Sequence, residues 1–175
     1  METALEHLLT NFYKVDMIAY MNAHPESFKE AIDLAVSDKQ PYAWRAAWLL
    51  WSCMEENDPR IKGYINTIID TLETKNDDHQ RELLKILLQM ELSEENECFL
   101  FDVCSAIWGK VNKRPSVRLT ALKIIVKIAK KHPDLSHEIG FLMQSQYLES
   151  LSPAARKAVS KMIKVVTLYG LSSGS

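Results

Sequence analysis

Glycine and proline are scarce in this chain, at five and six among 175 residues. Few positions can therefore host left-handed or rigid turns, and long elements joined by short turns are expected. Cysteine is scarcer still, with only Cys53, Cys98 and Cys104. An odd number, each inside an apolar helical stretch, argues against a disulfide framework and predicts buried, reduced thiols. Long apolar runs are missing too. The longest, Ala46 to Trp51, falls far short of the roughly 20 residues that span a bilayer. The first residues, Met1 to Glu6, lack a basic start followed by an apolar stretch. A cytoplasmic location with no membrane association is the expectation.

Catalytic signatures are missing as well. There is no Gly-rich phosphate loop, no Gly-x-Ser-x-Gly elbow and no His-Glu-x-x-His. His132 and His137 are five apart and straddle a helix start, so they share no face. Cys98 and Cys104 have no histidine at zinc-site spacing. No catalytic residue, metal site or cofactor is expected, and the chain reads as a non-enzyme.

What is present is an ordinary globular composition, 47% apolar and 25% charged. It suits a single domain over 1–170 that holds its core without disulfides or metal. The formal charge is −2, yet the halves differ. Residues 1–102 carry 9 Lys/Arg against 20 Asp/Glu, and residues 103–175 carry 12 against 3. The first part is thus −11 and the second +9. Such polarity points to a charged partner or to salt-sensitive self-association between copies.

Helical periodicity runs throughout, and no segment alternates as a half-buried strand would. The pattern predicts an N-terminal helix over about 3–22, with a break allowed near Asn11. Further helices follow near 25–37, 41–56, 59–74, 77–91, 94–112, 115–131, 134–149 and 153–168, with a frayed tail over 171–175. Pro25, Pro59 and Pro133 suit first turns, where a missing N–H costs nothing. Ser93 and Ser152 suit N-caps.

An arginine recurs at one place in four aligned segments: Arg45, Arg81, Arg118 and Arg156, spaced 36, 37 and 38 residues apart. That register divides the chain into units of about 23–57, 58–92, 93–131 and 132–169. Each is a helix pair that cannot bury its apolar face alone, so neighbours must stack. Val117-Arg118 with Ala121, Arg45 with Ala46 and Ala47, and Arg156 with Ala158 resemble the second helices of the HEAT-repeat family. Gln80-Arg81 keeps the arginine and the preceding Asp77-Asp78 but has no alanine.

The resemblance covers nearly all of the chain after residue 22 and extends to armadillo-like variants and small bacterial HEAT-like proteins. It implies an all-α, short, right-handed α-solenoid of about four helix–turn–helix repeats plus an N-terminal helix. It also implies that the recurring arginines tie neighbouring helix ends or an adjacent acidic residue. It implies no particular activity.

Two features suggest a binding surface. Trp44, Trp48 and Trp51, at i, i+4 and i+7, form one stripe on one helix. They read either as large core residues or as indoles facing a groove on the second helices. Arg81 and Lys85, then Lys123 and Lys127, would continue that surface. The resulting expectation is a scaffold for an unidentified protein or peptide. The alternative is nucleic-acid binding through the basic stretch from Lys110 to Lys131. A helical-repeat DNA glycosylase would use a concave basic surface with a Trp and an Asp near the lesion, and Trp108 with Asp102, beside the basic stretch, are the residues available. Six apart, they fall on different faces.

Overall fold

The computed structural model describes the backbone of residues 1–172 and the side chains of residues 1–166. Among the described residues every regular element is helical. The chain separates into two compact units, Met1–Leu92 and Ser93–Ser175. The division falls at the join between the second and third sequence units.

The first unit is built from helices α1 (Ala4–Asn11), α2 (Lys14–Ala23), α3 (Ser27–Val36), α4 (Tyr42–Cys53), α5 (Ile65–Thr71) and α6 (Asp77–Leu88). The expected N-terminal helix is broken at Phe12 and Tyr13, so this segment is itself a helix pair. Its start is a reciprocal cap: Thr3 accepts from the Glu6 amide, and Glu6 accepts from the Thr3 amide. α3 packs along α4 and touches α1 and α5, while α4 also packs against α2 and α6. The result is two layers, α1–α3–α5 and α2–α4–α6. Between them lies a core that includes Leu9, Ile32, Leu49, Leu50, Ile68 and Leu83, each at most 1% exposed.

The expected helix over 59–74 is much shorter. Asp58 folds back instead, accepting from the amides of Glu55 and Arg60 and from the Arg60 guanidinium at 2.7 Å. Pro59 thus sits in a turn, a 3-10 segment spans Lys62–Tyr64, and α-helix begins only at Ile65. The Arg60 bond holds the buried Asp58 carboxyl down at about 2. Just before it, Asn57 adopts φ 50°, a left-handed conformation that asparagine tolerates. Its amide donates to Gln89 O at 2.8 Å, at the end of α6.

His79, in α6, is fully buried. Its Nε2 lies 2.7 Å from Ala35 O and its Nδ1 3.0 Å from the Gln40 amide nitrogen. Both contacts suit a neutral ring that donates through Nε2 and accepts at Nδ1. Burial lowers its pKa below the ordinary histidine value. Between the lowered and the ordinary value only the unfolded chain takes up the proton, so this contribution shrinks as pH falls. We expect the urea midpoint to drop between about pH 7.5 and 5.5. His79→Gln should be less stable at pH 7.5 and show a flatter profile. An unchanged slope in that variant would assign the pH dependence elsewhere.

The second unit holds α7 (Glu94–Gly109), α8 (Pro115–Lys131), α9 (Ser136–Leu142), α10 (Ser145–Leu148) and α11 (Pro153–Ser172). Ser93 caps α7 by accepting from the Asn96 amide, and Ser152 caps α11 by accepting from the Ala155 amide. α7 packs on α8, α8 on α11, and α9 touches both α7 and α11.

The helix expected over 134–149 is interrupted. A 3-10 turn at Pro133–Leu135 leads into α9, and the chain breaks before α10. The break leaves Leu142 O to accept the Trp108 indole N–H at 2.8 Å. Of the expected tail, Leu171 and Ser172 end α11, and residues 173–175 lie outside the described residues.

One reading of the thiols needs correction. Cys104 is buried and Cys53 half-buried, but Cys98 is exposed. It lies on α7 next to Phe99, which is 60% exposed. An apolar neighbour in sequence did not mean a buried face.

Candidate functional site

α4 is apolar almost all round, and the small residues decide which side goes in. Ala43, Ala46, Ala47, Leu49 and Leu50 are buried, with the alanines allowing close approach to neighbouring helices. Trp44, Trp48 and Trp51 fall on the remaining side and are half-buried. The stripe is therefore surface rather than core.

Each indole carries a cation from a different element. Lys14, at the start of α2, lies 5.4 Å from the Trp48 ring centre. Lys85, from α6, lies 4.6 Å from that of Trp51. The Arg45 guanidinium lies 5.5 Å from that of Trp44. All fall within the range in which a cation gains from a ring's quadrupole. Lys14 was not anticipated, because its place beside α4 depends on the break between α1 and α2.

Arg81 and Lys85 are half-buried and converge on Glu82, which is 1% exposed. Arg81 donates to Glu82 Oε1 at 3.0 Å, and Lys85 Nζ lies 3.2 Å from Oε2. That buried carboxylate is neutralised twice, and one of its two cations, Lys85, reaches the indole stripe at Trp51. The first unit thus brings Lys85 to the stripe of Trp44, Trp48 and Trp51, while Arg81 joins Lys85 only through Glu82.

Lys123 and Lys127 stand on α8 in the second unit. Lys123 is exposed and Lys127 half-buried. Nearby, Lys131 and His132 both hold Glu97, at 2.6 and 2.7 Å. Burial pushes the Glu97 carboxyl up, and these two bonds outweigh it, so the net shift is downward. Part of the basic stretch is therefore spent inside its own unit.

Beside Glu97 opens a cavity of about 310 Å³ that sequence reasoning missed. Phe101, Ile128 and Leu135 supply apolar walls, while Glu94, Asp102, Asp134 and Glu138 make its lining acidic. Helical spacing on α7 (94, 97, 98, 101, 102) was the available signal. The acid from α9 and the preceding turn could not be placed without the fold.

The four register arginines are used differently. Arg45 Nη1 donates to Leu9 O at 2.7 Å, near the end of α1. Arg118 is fully buried and donates to Trp108 O at 2.8 Å, to Tyr147 O at 2.6 Å and to Ser150 Oγ at 3.2 Å. Its guanidinium also lies 4.6 Å from the Trp108 ring centre. Arg156 donates to Leu151 O and Glu149 O, just before its own helix. Arg81 bonds Glu82 within α6, with Asp78 at 3.9 Å.

Trp108 is 0% exposed and its N–H is spent on Leu142 O, whereas Asp102 is exposed. The two do not form a joint surface at which a base could be read. Among the described residues, no group of three or more His, Cys, Asp or Glu is arranged to hold a metal ion. Nor is any helix there long and apolar enough to cross a membrane.

Comparison with known proteins gives one positive result. The sequence pattern of the HEAT repeat domain matches residues 1–166. No curated protein and no solved structure matches the chain.

Proposed function

The chain belongs to the HEAT repeat domain family, whose repeats mediate protein interactions, and from that premise we propose that it is a non-enzymatic docking module for a protein or peptide. The face that binds is the second-helix layer of the first unit. One observation carries this reading: the half-exposed stripe Trp44–Trp48–Trp51, flanked by Lys14, Arg45 and Lys85. Indoles fixed by helix packing give large contact area at little entropic cost, and Trp and Arg are the residue types that dominate binding hot spots.

The test is affinity capture with mass spectrometry, comparing the intact protein with a Trp44→Ala/Trp48→Ala variant. Both side chains are half-exposed, so the variant should keep its helical circular dichroism. Truncating two hot-spot indoles should weaken a captured partner by roughly 100-fold or more. Equal capture by both proteins would remove this face as the docking site.

Nucleic-acid binding by α8 is the second reading, favoured by exposed Lys123 and Lys130. Binding to duplex DNA at low salt that ignores the indole substitutions would support it instead.

A further inference from the structure

The chemistry of the indole face narrows its partner. We infer that the face takes an acidic peptide segment, with carboxylates set around an apolar residue; this rests on the docking reading above. The first unit is acidic as a whole, with 9 Lys/Arg against 16 Asp/Glu over residues 1–92. α4 nevertheless contains no carboxylate between Tyr42 and Cys53, only Arg45 and the three indoles.

The rings are already bordered by cations. Lys14 lies on Trp48, Arg45 on Trp44 and Lys85 on Trp51, so three helices contribute to one basic-aromatic strip. The carboxylate closest in this network, Glu82, is buried and spent on Arg81 and Lys85. Lys14 and Arg45 have no carboxylate partner among the described residues. Arg45 Nη1 is satisfied by a backbone carbonyl, which leaves its charge uncompensated.

A basic segment would have to displace Lys14 and Lys85 from the rings and sit against like charge. A neutral apolar segment would use the indoles alone and leave the cations idle. An acidic segment uses both. Its carboxylates meet Lys14, Arg45 and Lys85, while an apolar side chain lies on indole surface between them. Elsewhere the acidic body of the unit repels it, which confines it to the strip. Trp44 to Trp51 spans two helical turns, about 10 Å. An extended segment of about three to four residues covers that length.

The experiment selects a displayed library of random twelve-residue peptides on the intact protein. Peptides that also bind the Trp44→Ala/Trp48→Ala variant are discarded. The remaining peptides should be enriched in Asp and Glu around an aliphatic or aromatic residue. Measured by fluorescence anisotropy, their affinity should fall at least tenfold between 50 and 500 mM NaCl. It should fall about tenfold again in Lys14→Glu, a solvent-exposed change at the first turn of α2, and be retained in Lys14→Arg.

Indole-dependent peptides that are neutral or basic, or that ignore salt and Lys14→Glu, would overturn the acidic assignment and leave the docking face standing. Recovery of no indole-dependent peptide would overturn both. Single-stranded DNA competing as well as the acidic peptides, at equal charge, would show that bare anionic charge suffices and would also overturn a peptide-specific site.

Discussion

Arg118→Met should lower the unfolding free energy by about 2–4 kcal/mol, read as a lower urea midpoint by circular dichroism. Methionine nearly keeps the volume, so the loss is polar. Arg118 is 0% exposed, and its guanidinium serves Trp108 O, Tyr147 O and Ser150 Oγ at once. Without it two buried or part-buried carbonyls lose their donor, at about 1–3 kcal/mol each. The change also has a gain. Burial works against the arginine's charge and lowers its pKa, so removing it recovers desolvation energy. The stranded carbonyls should win, because two of them are set against one partly compensated cation. Arg118→Lys keeps the charge but not the fork, and should lose about half as much. A methionine variant as stable as the parent would show that the desolvation cost had cancelled the bonds.

Trp108→Ala should cost about 3–5 kcal/mol, the usual range for a large aromatic removed from a packed core. The indole is fully buried and its N–H holds Leu142 O, where α9 ends. Trp108→Phe keeps most of the ring and forfeits the hydrogen bond, so about 1–2 kcal/mol is expected. Trp108 also lies against the Arg118 guanidinium, so the two sites are coupled. In a double-mutant cycle the combined loss should fall short of the sum by about 1 kcal/mol or more. Strict additivity would mean that the stacking contributes nothing. Intrinsic fluorescence gives a second readout, because Trp108 is the only tryptophan in its unit. Its emission should shift to the red as that unit unfolds.

These residues mark where sequence was readable. Helix starts carrying their own signal, such as Ser93 and Ser152, stand where local chemistry put them. The four register arginines fall in α4, α6, α8 and α11. Asp58-Pro59 misled: the same dipeptide that starts a helix can instead tie a turn, once an arginine two residues on is free to close it. The break between α9 and α10 was invisible, since Leu142 O is claimed by an indole 34 residues away in the chain. Burial of the three indoles of α4 was undecidable from periodicity. A helix apolar all round has no preferred side until its alanines meet a neighbour. The cavity beside Glu97 depends on three helices and a 3-10 turn meeting, which no spacing rule contains.

The register arginines bear on how such a chain can lengthen. Arg45, Arg118 and Arg156 bind backbone carbonyls near helix ends, and each finds a different set. Every helix C-terminus offers unpaired carbonyls whatever its side chains. A duplicated unit would therefore bring its own fastener and find acceptors at whatever junction it landed on, with no matching change in its neighbour. Arg81, at the same slot, reaches the Glu82 carboxylate. What the four positions share is reach and charge, and the contact differs from unit to unit.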